Sequence, residues 1–245
     1  MKKNILITGL PGSGKSTILK KIISLHEAKV GFVTHEVCQD GARTGFELET
    51  NAGEKSMLAS VKFQTEFKVK KYFVDVTNLD QIIPRVTTFK SEDLLFLDEI
   101  GQMQLFSDKF KQLVSRYLDS PNICLATLSK VYDDPFIETV KNRDDVILVE
   151  ISPENRDSKM KFLEALVQKI LKAKRYFRDP QRFSIKSDEV TIRTDHGIRH
   201  LRKNGSGWIC DCEFFKEYSL CSHWIALDEY LRSLKTISGA SIFKA

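Results

Sequence analysis

Gly9-Leu10-Pro11-Gly12-Ser13-Gly14-Lys15-Ser16 follows the pattern G-x-x-x-x-G-K-[ST], and it stands between an apolar run, Ile5-Leu6-Ile7, and a helical one, Thr17 to Leu25. A strand feeding a glycine-rich turn feeding a helix is the setting in which this pattern has a physical meaning. The glycines let the backbone turn tightly with its N–H groups pointing inward, and the helix N-terminus adds its positive dipole end, so the turn becomes a bowl for phosphate oxygens. Gly9 to Ser16 and Thr17 are therefore expected to cradle a nucleoside triphosphate. Lys15 would neutralise β/γ-phosphate oxygens, and the Ser16 hydroxyl would sit on Mg2+.

A second piece belongs with the first. Leu94-Leu95-Phe96-Leu97 is an apolar strand that ends on Asp98-Glu99. A carboxylate at the end of a strand beside such a loop is the Walker B arrangement, so Asp98 is expected to hold the Mg2+ shell. Glu99 supplies a second carboxylate, placed to polarise an attacking water. Thr127, polar near the end of the next apolar strand, reads either as a γ-phosphate contact or as a loop cap.

Between and beyond these pieces, strands and helices alternate. Lys29 to Val37 is extended and is followed by the turn Gln39-Asp40-Gly41. Gly45 to Glu49 and Met57 to Phe63 read as a hairpin with Asn51-Ala52-Gly53 at its tip. Tyr72 to Val76 is a further strand, and Leu79 to Phe89 a helix interrupted at Pro84. Phe110, Leu113, Val114, Tyr117 and Leu118 recur at helical spacing over Ser107 to Leu118, with Ser107 as N-cap. Ile123 to Ala126 and Val146 to Ile151 are strands flanking a helix from about Asp134 to Val140. This alternation predicts an α/β fold with a mainly parallel sheet covered by helices on both faces.

The chain has 245 residues and a formal net charge of +5. Residues 1–157 carry 21 Lys+Arg and 23 Asp+Glu, a net −2; residues 158–245 carry 17 and 10, a net +7. The basic excess thus belongs to the C-terminal third, where it suits either a nucleic-acid surface or an ordinary solvated one. No apolar run approaches the ~20 residues that span a bilayer, so no membrane partner is expected and the expected compartment is cytoplasmic. Cys38 and Cys124 stand alone and read as buried structural thiols. Cys210, Cys212 and Cys221 cluster.

Cys210-x-Cys212, an eight-residue spacer and Cys221-x-His223 supply three thiolates and one imidazole. That is the inventory of a tetrahedral structural Zn2+ site, with no position left open for catalysis. In an extended C-x-C pair both sulfurs point the same way, so both can reach one ion. Trp224, Leu227, Leu231 and Leu234 mark the apolar face of the helix that follows. Upstream, Lys169 to Phe183 interleaves Lys172, Lys174, Arg175, Arg178 and Arg182 with Tyr176 and Phe177. This suits phosphates and stacked bases, or a solvated helix face.

From Asn4 to about Leu171 the chain resembles the P-loop nucleoside-triphosphatases of the thermophile and human cancer-related type. The resemblance rests on Ile7-Thr8-Gly9 and the P-loop, Gly31-Phe32-Val33-Thr34 with Glu36-Val37, Gly41-Ala42-Arg43-Thr44-Gly45-Phe46 and Lys71-Tyr72. It continues through Asp98-Glu99-Ile100-Gly101-x-Met103-x-Leu105-Phe106-Ser107 and Glu154-Asn155-Arg156-Asp157. It implies a RecA- or AAA-like sheet and slow Mg2+-dependent hydrolysis of ATP, GTP and other triphosphates to diphosphate and phosphate. The chain carries Gln102 and Gln104 where the family usually has Lys and Glu, which removes two charges beside the carboxylates. An arginine that reaches the γ-phosphate contributes roughly 10^3 to 10^5 in rate; Arg43 and Arg156 are the candidates, and Arg156 can instead pair with Asp157.

The C-terminal cysteines, preceded by Gly207-Trp208 and followed by Trp224-Ile225-Ala226-Leu227, resemble a SWIM-type zinc finger. The resemblance implies a small ββα module, held by the metal, that contacts DNA, RNA or protein. The expected organisation is an NTPase domain over 1–175, a basic linker over 176–182 and a zinc module over 183–245. Three functions fit these parts: an NTPase with a zinc-held adaptor, a nucleotide-gated binding switch with little turnover, and a P-loop small-molecule or nucleoside kinase. The oligomeric state has no signature in the sequence.

Overall fold

A computed structural model describes residues 1–205 and 207–241, with side chains to residue 234. By internal contacts the chain divides into two units, residues 3–161 and residues 162 onward with Met1 and Lys2. The division falls inside the helix at 156–177, upstream of the boundary at 175 read from the sequence.

The first unit begins with β1 (Asn4–Gly9), whose six residues are all buried. The elements then run α1 (Lys15–Ser24), β2 (Lys29–Gln39), β3 (Ala42–Thr50), β4 (Lys55–Ser60), β5 (Phe67–Val69), β6 (Tyr72–Val74), α2 (Val76–Ile82), β7 (Leu94–Ile100), α3 (Asp108–Asp119), β8 (Cys124–Ser129), α4 (Pro135–Lys141), β9 (Val146–Glu150) and α5 (Arg156–Phe177). The nine strands form one sheet in the order β5-β6-β4-β3-β2-β7-β8-β1-β9. Its core, β2-β7-β8-β1-β9, is parallel, and β1 lies between β8 and β9. Continuous apolar runs such as Ile5-Leu6-Ile7 and Leu94 to Leu97 suit this position, because strands flanked by helices are buried on both faces. Leu6, Leu95, Leu97, Ala126 and Leu128 share a core with α2, α3 and α4. Across the sheet, α1 lies against β1, β7 and β8 and buries Ile18, Leu19 and Ile22. The α/β fold read from strand-helix alternation is the fold observed.

Strands β3 to β6 extend the sheet by antiparallel pairing. The β2–β3 connection is a two-residue turn, Asp40-Gly41, with φ of 52° and 76°, the positive-φ pair that matches the twist of a hairpin. Ser107 caps α3 as expected, accepting from the Phe110 N–H at 3.0 Å. The Leu79 to Phe89 helix is instead α2 followed by one 3-10 turn at Ile83–Val86, because Pro84 has no N–H for a continuing helix. Cys124 is buried, but Cys38 is exposed. It follows a bulge between Val37 and Cys38 near the end of β2, so the buried-thiol expectation fails there.

The second unit contains β10 (Phe183–Ile185), β11 (Glu189–Thr194), β12 (Gly197–Asn204) and β13 (Gly207–Cys210) in one antiparallel sheet in that order, then α6 (Glu213–Tyr218) and α7 (Ser222–Ser241). Its core gathers Val190, Ile192, Leu201, Cys210, Cys212, Cys221 and Leu227, with Trp208, Trp224 and Leu231 packed against them. Leu234, expected on this face, is 41% exposed; the apolar stripe of α7 ends one turn earlier. Among the described residues no helix is long and apolar enough to cross a membrane.

Candidate active site and metal centre

The turn after β1 builds its bowl as the sequence demands. Gly12 and Gly14 take φ of 79° and 97°, a left-handed backbone in which a side chain is strained. At Gly14 a Cβ would stand 2.7 Å from Cδ of Arg156, a flexible side chain that can shift, so it is the left-handed backbone that favours glycine there. Gly14 caps α1, and the free N–H groups of the first helical turn, including that of the exposed Thr17, face outward from its start. Lys15 is buried, and its Nζ donates to the carbonyls of Gly9 at 3.1 Å and Leu10 at 3.3 Å, which holds the ammonium over the bowl.

Asp98 is 1% exposed. Its Oδ1 accepts from the Ser16 hydroxyl at 2.8 Å and from the Thr127 hydroxyl at 2.6 Å, and the Thr34 hydroxyl donates to its backbone carbonyl. Its Oδ2 is buried with no hydrogen-bond partner among the described residues. An unpaired carboxylate oxygen held in the interior is costly unless a cation satisfies it. Two hard oxygen donors, Ser16 Oγ and Asp98, converging beside a phosphate bowl are the donor set of Mg2+, so the residues fit that ion. Thr127 makes a contact that neither sequence reading included: it donates to Asp98 and orients it.

Glu99 is half-buried on the next residue. Burial pushes its carboxyl above the ordinary value, Lys15 pulls it down, and the charge of Asp98 adds to the rise. Gly101 lies close to it, with Glu99 Cδ 3.4 Å from where a Cβ would stand.

The two candidate arginines occupy different places. Arg43 on β3 lines the same cavity as Lys15, Ser16, Asp98 and Glu99; its Nε donates to Tyr72 Oη at 3.0 Å and its Nη1 pairs with Glu36. Arg156, the first residue of α5, packs its aliphatic stem on Gly14 and approaches Asp157 at 3.6 Å; it is not among the residues that line the cavity.

In the second unit, one ligand atom from each of Cys210, Cys212, Cys221 and His223 lies within 4.8 Å of every other, and all four residues are buried. His223 Nδ1 stands 3.6 Å from Cys210 Sγ and 3.7 Å from Cys221 Sγ. A tetrahedron with bonds of roughly 2.0 to 2.3 Å has edges of roughly 3.5 to 3.8 Å, so these spacings are those of ligands around one ion. Hydrogen bonds from the thiols of Cys210 and Cys221 hold that of Cys212 below its usual range. The cluster fits Zn2+.

Tyr176 shows what the sequence reading missed. It is buried, and its ring stacks on that of His223 with centroids 5.7 Å apart. It is a packing partner of the cluster, not an aromatic offered to bases. Lys169 lies over Phe214 at 4.7 Å, and Arg182 pairs with Asp179, so much of the basic segment serves its own unit.

A family model described as NTPase matches residues 4–170. Nucleoside-triphosphatase THEP1 of a Thermotoga species, strain RQ2, is 42% identical over 156 residues, 63% of this chain and 89% of that protein. The human cancer-related nucleoside-triphosphatase is 31% identical over 186 residues, 69% of this chain and 98% of that one. The crystal structure of THEP1 from Aquifex aeolicus aligns with a TM-score of 0.61 at 33% identity, covering 67% of this chain and 99% of its own. The family model ends before the cysteine cluster begins. Over the part that carries the phosphate bowl and Asp98, the chain belongs to the NTPase family of P-loop nucleoside-triphosphatases.

Proposed function

We propose that this protein is a Mg2+-dependent nucleoside-triphosphatase that converts ATP, GTP and related triphosphates to diphosphate and phosphate in the cytoplasm. The observation that carries the reading is the buried, unpartnered Oδ2 of Asp98 beside Ser16 and Lys15. Mg2+, when bound by Ser16 and Asp98, supplies charge neutralisation to the β- and γ-phosphates. The chain's own residues do the rest. The amides of Gly12 to Thr17 and the Lys15 ammonium grip the phosphates, Thr127 and Thr34 keep Asp98 in place, and Glu99 takes a proton from the attacking water. Lys15→Ala tests this reading: calorimetry with Mg2+ present is expected to show heat of association with ATP for the natural protein and none for the variant. Absence of heat for the natural protein with every common triphosphate sinks the reading.

The placement of the two arginines supports separate roles. Arg43 lines the same cavity as Glu99. Arg156 lies against Gly14 of the loop, where its guanidinium serves binding of the nucleotide and not the reacting phosphorus. Arg156→Ala is expected to raise KM several-fold with kcat nearly unchanged, the signature of lost uniform binding. A roughly thousand-fold or larger loss of turnover with KM unchanged would instead make Arg156 the arginine that stabilises the transition state.

The second unit is proposed to be a structural zinc module with nucleic acid as its partner. Beside Cys210 a groove of about 500 Å³ is lined by His200, Arg202, Lys203 and Lys216, with Asp211 the one acidic residue among its lining. Such a surface attracts polyanions. Contact with an acidic protein is the alternative.

A further inference from the structure

Hydrolysis needs one water beside the γ-phosphate, and a water occupies about 30 Å³. The cavity that takes in the bowl residues Gly9, Gly12, Lys15 and Ser16 holds about 350 Å³ in all, part of it for the triphosphate itself, and it runs on past Glu99 to residues that do not belong to the bowl. Its far wall does not come from the parallel strands that hold the phosphate bowl. Arg43 and Phe46 of β3, Leu58 of β4 and Tyr72 of β6 form it, and Gln102, Met103 and Gln104 after β7 close it.

The chemistry of that wall differs from the phosphate end. Phe46 and Tyr72 meet edge to face with centroids 5.1 Å apart. The Arg43 guanidinium lies 5.1 Å from the Phe46 centroid, and its charge is met by Glu36. Gln102 and Gln104 add amide donors and acceptors without net charge. The remaining cations, Lys70 and Lys130, are solvent-exposed, and Lys130 pairs with Glu150. Aromatic carbon, one neutralised arginine and two amides recognise an uncharged ring that carries hydroxyls; a second polyphosphate would find little unpaired charge there.

We propose that this end of the cavity is an acceptor subsite for a nucleoside-like molecule, and that phosphoryl transfer to its hydroxyl is a second activity of the protein. The inference rests on the nucleotide site proposed above. In the transfer, the acceptor hydroxyl oxygen bonds to the γ-phosphorus. The bond from that phosphorus to the β,γ-bridging oxygen breaks, and the nucleoside diphosphate leaves with the electron pair. The hydroxyl proton passes to the Glu99 carboxylate. The products are a phosphate monoester of the acceptor and the diphosphate. Water in the same place gives orthophosphate, so hydrolysis and transfer compete for one donor.

The experiment incubates the full chain with Mg2+ and ATP labelled in its γ-phosphate, with adenosine, guanosine, cytidine, uridine or thymidine as the acceptor probe, and separates labelled ester from labelled orthophosphate. At least one nucleoside is expected to yield labelled monophosphate at the expense of orthophosphate. Phe46→Ala and Gln102→Ala are expected to lower the ester-to-orthophosphate ratio about tenfold, the scale of one lost base-stacking contact. The ratio is internal to each reaction, so a poorly folded variant does not distort it. Orthophosphate alone with all five nucleosides, or a ratio unchanged in both variants, overturns the acceptor subsite and leaves the hydrolase reading intact. Neither product, with any probe or none, sinks the hydrolase reading and this one together.

Discussion

Glu99→Gln is expected to leave triphosphate binding intact and to slow phosphate release by roughly 10^2 to 10^4, the range that a positioned general base contributes. The substitution keeps the side chain's shape, and removes its negative charge and its ability to take a proton. The groups that bind are elsewhere: Lys15 over the bowl, Ser16 and Thr127 on Oδ1 of Asp98. Glu99 is suited to the base role because it is half-buried, and burial raises the affinity of its carboxylate for a proton. Its neighbour Asp98 is the wrong residue for that role, since one oxygen is tied to two hydroxyls and the other is buried and would hold the proposed Mg2+. Single-turnover phosphate release, measured beside a fluorescent-nucleotide titration, separates the two steps. An unchanged rate in the variant would remove Glu99 from proton transfer, and lost binding would place it in the phosphate cradle.

How far the sequence was legible follows from which constraints are local. The phosphate bowl was readable because its chemistry lies in consecutive residues: Gly12 and Gly14 must take positive φ, and Lys15 and Ser16 must follow at once on the helix. Asp98 was readable for a similar reason, as a carboxylate that terminates an apolar strand. The two-residue Asp40-Gly41 turn and the Ser107 cap are likewise local chemistry. The role of Thr127 was not readable, because its hydroxyl meets Asp98 only once β7 and β8 lie side by side in register. The sequence separated Arg43 from Arg156 only by the Asp157 beside the latter; the fold places one on the antiparallel extension and the other at the start of α5. Tyr176 and Cys38 failed for a common reason. Both were judged by residue type and near neighbours, whereas a ring on His223 and a bulge in β2 decided their surroundings.

The largest stability effect is expected at the four ligands in the C-terminal unit. Among the described residues, three of the seven buried members of the cluster around the metal ligands are the cysteines themselves, so this part of the core loses much of its packing when they are not held together. Structural zinc contributes apparent binding free energies of about 10 to 16 kcal/mol in zinc-finger peptides near neutral pH, more than the ~5 to 15 kcal/mol by which whole domains are stable. The natural protein is therefore expected to contain one zinc per chain by elemental analysis. Stripping it with a chelator, or making Cys212→Ser, is expected to open residues 183–234 to proteolysis. Cys212 is the informative position because it is one of the four clustered ligands and also caps the start of α6; serine keeps the shape but removes the thiolate. Returning zinc is expected to restore protection in the chelated natural protein and not in the variant. A zinc-free natural protein with a fully protected C-terminal segment would show that packing of Val190, Ile192, Leu201 and Leu227 suffices, and that the four side chains are brought together by the core and not by an ion.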